Sequence, residues 1–445
     1  MPTLESWPRC PAAAAFFETE LHGFLAANST AAAMAAHFHS GAGVSLLSLV
    51  DHWALPETAA LRTRLSALGL CEMQSADGDL VWEHPQARLP RVRLETDLSA
   101  PRLALTAENL TDFADANGFP TQGQHGDPDS GYEEVRYPLD HGELAVVVRQ
   151  GYAGFRPGEL TPGAARALVR ARKTFRERSR EGEETEVLCA AEELVQSVIE
   201  ELGIDRTADE FFAAERDYYL TRNRAARWQY ARQTELGFGW ANHDHHTYRS
   251  SRAGFRALMQ LGNQLGFVAR ERFYAGAEAG WGAQICEHPV SRVVIFADVD
   301  MAAAERDIDF ASTDLPPTPD LGTIGLWCAL HGSSIGRAGM HHIECEFDFV
   351  QAQANLEAAD FPVMPPFTDL PMLKQAFSMA EVWPVAEERI EALAASGSIT
   401  SAQADRFRAQ GAPGSHIEIL QRWEGFKGFN KTGVSSIIRD TDARK

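Results

Sequence analysis

"ANHDHHTYRSSRAGFRALMQLGNQLGFVARERF", residues 241–273, and "LVDHWALPETAALRTRLSALGLCEM", residues 49–73, follow one plan. Each opens on Asp-His in a strand-like run, continues into an amphipathic helical segment and closes that segment at Leu-Gly. The match extends downstream. "VWEHPQARLPRVRLETDL" (81–98) and "ICEHPVSRVVIFADVDM" (285–301) each set a Glu-His-Pro turn between two strand-like runs. A fainter copy begins at "MHHIECEFDFVQAQANLEAADFPVM" (340–364), and residues 108–150 supply a fourth helix with its strands. Self-similarity on this scale marks repeated supersecondary units. The unit is strand, helix, then two or three strands. Such units pair into a curved mixed sheet with a cavity in its cup, so the expected fold class is α+β.

Between the two clear copies, residues 160–235 read as helical, with apolar residues at helical spacing in Val187, Leu188, Leu194, Val195, Val198, Ile199 and Leu202. Thr161 is the expected cap of the first helix, with Pro162 at its first position. The division expected is a degenerate repeat at 1–160, a helical connector at 161–235 and a metal-binding catalytic domain at 236–445.

The 445-residue chain is 44% hydrophobic and carries a net charge of −21. That balance argues against nucleic acid or an anionic membrane as partner, since both require clustered Lys and Arg. Six cysteines without CxxC spacing suggest reduced thiols in a cytoplasmic protein. The N-terminus lacks the pattern of a signal peptide, and no apolar run is long enough to span a bilayer.

His243, His245 and His246 crowd one strand. Alternation puts His245, Thr247 and Arg249 on one face and His246 and Tyr248 on the other. A second pair, His341-His342, opens the fainter copy. One imidazole from the start of each unit, joined by a carboxylate, would make a two-His-one-carboxylate metal site.

At these residues the chain resembles the 2-oxoadipate dioxygenase/decarboxylase family, formerly a domain of unknown function, of the vicinal oxygen chelate superfamily. The family's first motif, His-x-x-x-Arg after Asp, matches Asp244, His245 and Arg249. Its second, apolar-Asn-His-apolar-Thr, matches "MHHIE", with His342 in the ligand place, His341 for Asn and Glu344 for Thr. If the two His pairs align directly instead, His341 takes the ligand place. The third matches "APGSHIEI", with Glu418 as carboxylate, and "RWEGFKGFNKTG" is similar to the family's Gly-Phe-rich tail. The resemblance covers residues 235–435; in the first copy, Asp51-His52-x-x-x-Pro56 has Pro where Arg249 stands, so that copy reads as structural and metal-free.

The resemblance implies a glyoxalase-like fold and a metal held by His245, His342 and Glu418. It implies Fe(II), with Zn, Ni or Mn as alternatives. The partners it implies are a small-molecule 2-oxo acid and O2, with a hydroxy acid such as 2-hydroxyglutarate and CO2 as products. Arg249 is the candidate for the distal carboxylate of the substrate, because its fork binds carboxylate bidentately. Two other readings stay open: a glyoxalase-type lyase or isomerase using the metal without oxygen, and a non-catalytic small-molecule binder. Glu287-His288-Pro289, His331 and the glycines of "GAEAGWG" (276–282) read as structural or hairpin elements, and Arg292 as a second substrate candidate.

Overall fold

The computed structural model describes residues 7–121, 125–158, 163–275, 279–368, 370–430, 437 and 441–445. The expected cap at Thr161 and Pro162 lies outside them, as do residues 276–278 of the glycine-rich segment and most of the final "KTGVSSIIRD".

The first half carries strands β1 (Val50–Pro56), β2 (Cys71–Gln74), β3 (Leu80–Glu83), β4 (Arg91–Glu95), β5 (Arg102–Thr106), β6 (His125–Asp127), β7 (Tyr132–Leu139) and β8 (Gly142–Arg149). They form one sheet in the order β2-β3-β4-β1-β5-β8-β7-β6. The helices Ala59–Ala67 and Leu110–Asn117 follow β1 and β5, so the sheet is two strand-helix-three-strand units joined along the antiparallel β1–β5 seam. The second half repeats this with β9 (His243–Arg249), β10 (Val268–Tyr274), β11 (Trp281–Glu287), β12 (Val294–Asp300), β13 (His342–Glu346) and β14 (Leu373–Phe377). A short ribbon, β15 (Val382–Trp383) with β16 (Ala412–Pro413), and the last strand, β17 (His416–Arg422), complete it. The order is β10-β11-β12-β9-β13-β17-β14, with β9 and β13 at the antiparallel seam. The fold is therefore α+β, with paired strand-helix-strand units in each of two mixed sheets.

Local chemistry explains the units. β12 reads Val-Ile-Phe-Ala-Asp-Val-Asp and is buried along its whole length, as a strand covered on both faces requires. The helix Phe255–Gln264 buries Phe255, Leu258, Met259 and Leu261 at helical spacing and packs on the helix Glu184–Leu202. Each helix stops at its Leu-Gly because the glycine is left-handed, with φ of +87° at Gly69 and +82° at Gly266. A Cβ there would meet the Nε2 of His84 at 2.8 Å or of His288 at 3.0 Å. The Leu-Gly and Glu-His-Pro signatures are thus two sides of one contact. His288 Nδ1 accepts from the N–H groups of Val290 and Ser291, and His84 Nδ1 from Gln86. These histidines shape turns.

Pro56 is the last residue of β1, which is otherwise a central strand between β4 and β5. The strand ends where proline removes the backbone donor. Helices Ala164–Glu177, Glu184–Leu202, Ile204–Arg222 and Arg224–Glu235 stand between the two sheets in sequence. Trp53 and Leu103 of the first sheet, Phe211 and Phe212 of the third of these helices, and Tyr248 and Ile295 of the second sheet share one apolar core.

Candidate metal centre

The arrangement of the site starts with an extra residue. On the β9–β13 seam His245 faces Glu344 and His243 faces Cys345, which leaves Asp244 unopposed in a β-bulge. A bulge breaks the alternation and re-aims the side chains beside it. His245 turns to one side, against Phe429 at 4.8 Å between ring centroids. His243 falls on the other side, 5.3 Å from His246, which packs on Phe212. Of the three crowded histidines, only His245 enters the site. His246 has no hydrogen bond to either ring nitrogen and belongs to the core.

The bulged Asp244 carboxylate takes a fork from Arg422, Nε to Oδ1 at 2.9 Å and Nη2 to Oδ2 at 3.0 Å. Arg88, from the first half, stands 3.3 Å from Oδ1. Burial alone would raise this carboxyl; Arg422 and Arg88 outweigh burial and hold it well below the usual range. It lies 3.3 Å from His245 Nδ1, which leaves His245 Nε2 to face the site.

Four side chains converge there. His342 and Glu344 lie two apart on β13 and so share its face. The parallel β13–β17 pairing sets Glu344 beside Glu418 and His342 beside His416. Single ligand atoms of His245, His342, Glu344 and Glu418 lie within 4.8 Å of one another, and all four residues are buried. His245 Nε2 is 2.7 Å from Glu344 Oε2, and His342 Nε2 is 3.0 Å from Glu418 Oε2. Glu344 Oε2 nevertheless accepts no hydrogen bond. Gln375 on β14 reaches both carboxylates, Nε2 donating to Oε1 of Glu344 at 3.2 Å and of Glu418 at 3.1 Å. One amide therefore orients the pair.

Burial raises Glu418 to about 8. It also raises Glu344 well above its usual value, with the neighbouring Glu418 charge adding to the effect. Burial, and then Arg249, keep His342 well below the usual histidine range. Two imidazoles and two carboxyls that need a counter-charge are the donor set a divalent cation completes, since it favours the ionised carboxylates. The group fits a metal ion on these grounds. The pocket beside it is walled by Phe296, Phe367, Phe377 and Phe429 and continues to Arg249.

Further along the same face stand Thr247 and Arg249. Arg249 is buried; its nearest carboxylate is Asp298 on β12, with Nε 3.8 Å from Oδ2, and its guanidinium lies 5.4 Å from the Trp327 ring centre. Burial raises Asp298 to about 8 against the pull of Arg249. His341 is not among the converging four: its ring packs on Trp327, and its Nδ1 shares a 2.8 Å hydrogen bond with His342 Nδ1. His331 Nε2 meets the Pro413 carbonyl at 3.0 Å, and Arg292 donates to Glu83 at 2.7 Å, both away from the centre.

Sequence reading missed Glu344 as a candidate ligand and Gln375 and Arg422 as its supports. The spacing of Glu344 from His342 carried the first signal. Gln375 and Arg422 become neighbours only through strand pairing.

No family model matches the chain, and no curated protein matches it. Solved structures match it only distantly. A putative hydrolase from Shewanella frigidimarina is 15% identical over 51% of this chain and 98% of its own, with a TM-score of 0.35. A mutant 4-hydroxymandelate synthase from Streptomyces coelicolor is 10% identical over 89% of this chain and 98% of its own, at 0.29. An uncharacterised protein from Shigella flexneri that includes domain DUF1338 is 10% identical over 59% of this chain and 73% of its own, at 0.25. None is similar enough to carry an activity across to this chain.

Proposed function

We propose that this chain is a non-haem Fe(II) enzyme that uses O2 to decarboxylate a 2-oxo acid of the 2-oxoadipate kind, giving a hydroxy acid and CO2. The buried convergence of His245, His342, Glu344 and Glu418 carries the reading. Iron held there supplies the oxygen chemistry and the chelation of the 2-oxo acid. The chain supplies the rest. His245, fixed by Asp244, and His342, fixed by His341, present ring nitrogens. Glu418 and Glu344 supply charge, with Gln375 setting their orientation. Phe296, Phe377 and Phe429 wall the site. Arg249 takes the distal carboxylate. It lies four residues from His245, roughly 13 Å along the strand at about 3.3 Å per residue, a span that suits a dicarboxylate of five or six carbons.

Glu344 favours a second reading. A second carboxylate beside the metal leaves fewer open positions than a two-His-one-carboxylate site, and it suits proton transfer without oxygen, as in a lyase or isomerase of the glyoxalase kind. Elemental analysis of anaerobically purified protein, followed by oxygen-electrode assays with 2-oxoadipate and a monocarboxylic analogue of equal length, decides between them. The expected result is one iron per chain and oxygen uptake with 2-oxoadipate. In Arg249→Ala that uptake falls about ten- to a hundredfold, the worth of a charge-assisted hydrogen bond, while the analogue is little affected. Bound metal without oxygen uptake on either acid would transfer the assignment to the second reading.

A further inference from the structure

A cavity of about 650 Å³ opens between the first sheet, the helices that follow it and the edge of the second sheet, behind the bulged Asp244. Its size falls in the range of small-molecule sites. Eight arginines line it. Seven of them have a carboxylate partner, among them Arg91 and Arg149 on Asp51 and Arg422 on Asp244. Arg216, on the helix Ile204–Arg222, is the exception among the described residues. It forms no ion pair, and its Nη1 is buried without a hydrogen-bond partner. Asp209, one wall further along the same helix, likewise enters no hydrogen bond or ion pair, although Arg216 is the strongest influence holding its charge. Arg216 is half-buried, and a buried donor such as its Nη1 is costly to leave without an acceptor. The fork is planar and suited to an oxyanion.

We propose that this cavity binds a small organic anion, its carboxylate or phosphate seated on Arg216 and a hydroxyl or amino group donated to Asp209. The site is separate from the metal centre and independent of the function proposed above.

Titration calorimetry with malate and with inorganic phosphate tests it on the full chain, wild type, Arg216→Gln and His245→Ala. Because Arg216 has no protein partner to lose, its replacement leaves the fold intact, which a thermal melt verifies. Saturable binding of malate, phosphate or both is expected in the wild type, the pattern distinguishing a carboxylate from a phosphate ligand. Arg216→Gln should weaken it about ten- to a hundredfold, and His245→Ala should leave it unchanged. The proposal is overturned if neither probe saturates, if Arg216→Gln binds as the wild type does, or if binding is lost in His245→Ala and kept in Arg216→Gln.

Discussion

The two sheets carry the same clamp, and only one carries the candidate ligands. In the second, Asp244 at a bulge is forked by Arg422 and touches His245, whose ring meets Phe429. In the first, Asp51 sits at the matching bulge, forked by Arg149 at 2.8 and 3.0 Å. It lies 2.7 Å from His52, whose ring meets Phe155 at 4.9 Å. Register then shows what differs. Where His245 faces Glu344 and Glu344 pairs with Glu418, His52 faces Ala104 and Ala104 pairs with Ala145. The place of the His342–His416 pair is taken by Arg102 and Glu143, which form an ion pair. The Asp-His-Arg clamp is therefore part of the scaffold, and a candidate metal centre arises where three further positions on two strands carry His or Glu side chains that can hold a metal. The exchange of Arg249 for Pro56 is the lesser part of the difference.

Substitutions can test this contrast. The largest effect is expected at the ligands. His245→Ala, His342→Ala, Glu344→Ala or Glu418→Ala should each abolish metal retention, while His52→Ala leaves the metal content of the protein unchanged. Mass-spectrometric metal analysis after gel filtration reads this, and full occupancy in Glu418→Ala would remove that residue from the centre. Next come the clamps. Asp51→Ala and Asp244→Ala each strand buried arginine charge and should lower stability by about 3–5 kcal/mol, seen as an earlier denaturation midpoint. Unequal losses would mean that the clamps are not equivalent.

A smaller difference separates the same two positions when only the charge is removed. Asp244→Asn should weaken metal binding about ten- to a hundredfold, as loss of the carboxylate behind a ligating imidazole does, and Asp51→Asn should not alter it. Competition against a chromophoric chelator measures both. The smallest effects belong to the turns: Gly69→Ala and Gly266→Ala should each cost about 1–2 kcal/mol from left-handed strain, more if His84 or His288 cannot move aside. Melting temperatures check them, and a neutral Gly266→Ala would show that the Leu-Gly signature has no steric basis.

How far the sequence discloses this depends on range. Unit order, the face shared by His245 and Arg249, and the kinship of residues 49–98 with 241–301 follow from local period and repeated turns. The bulge at Asp244 has no period of its own, so alternation alone would have put His243 beside His245. The clamp joins residues 178 positions apart in the second sheet and 98 in the first. Gln375 meets its two carboxylates from 31 and 43 positions away. Such partners are set by strand register, which composition and spacing do not encode.

Arg422 does one thing more. Its Nη1 donates to the carbonyls of Phe426 at 3.2 Å and Gly428 at 2.6 Å, just before Phe429 lies on His245. In mechanical terms, carbonyl, guanidinium, bulged carboxylate and imidazole form a short train of stiff links that couples the backbone at 426 and 428 to the ring of His245.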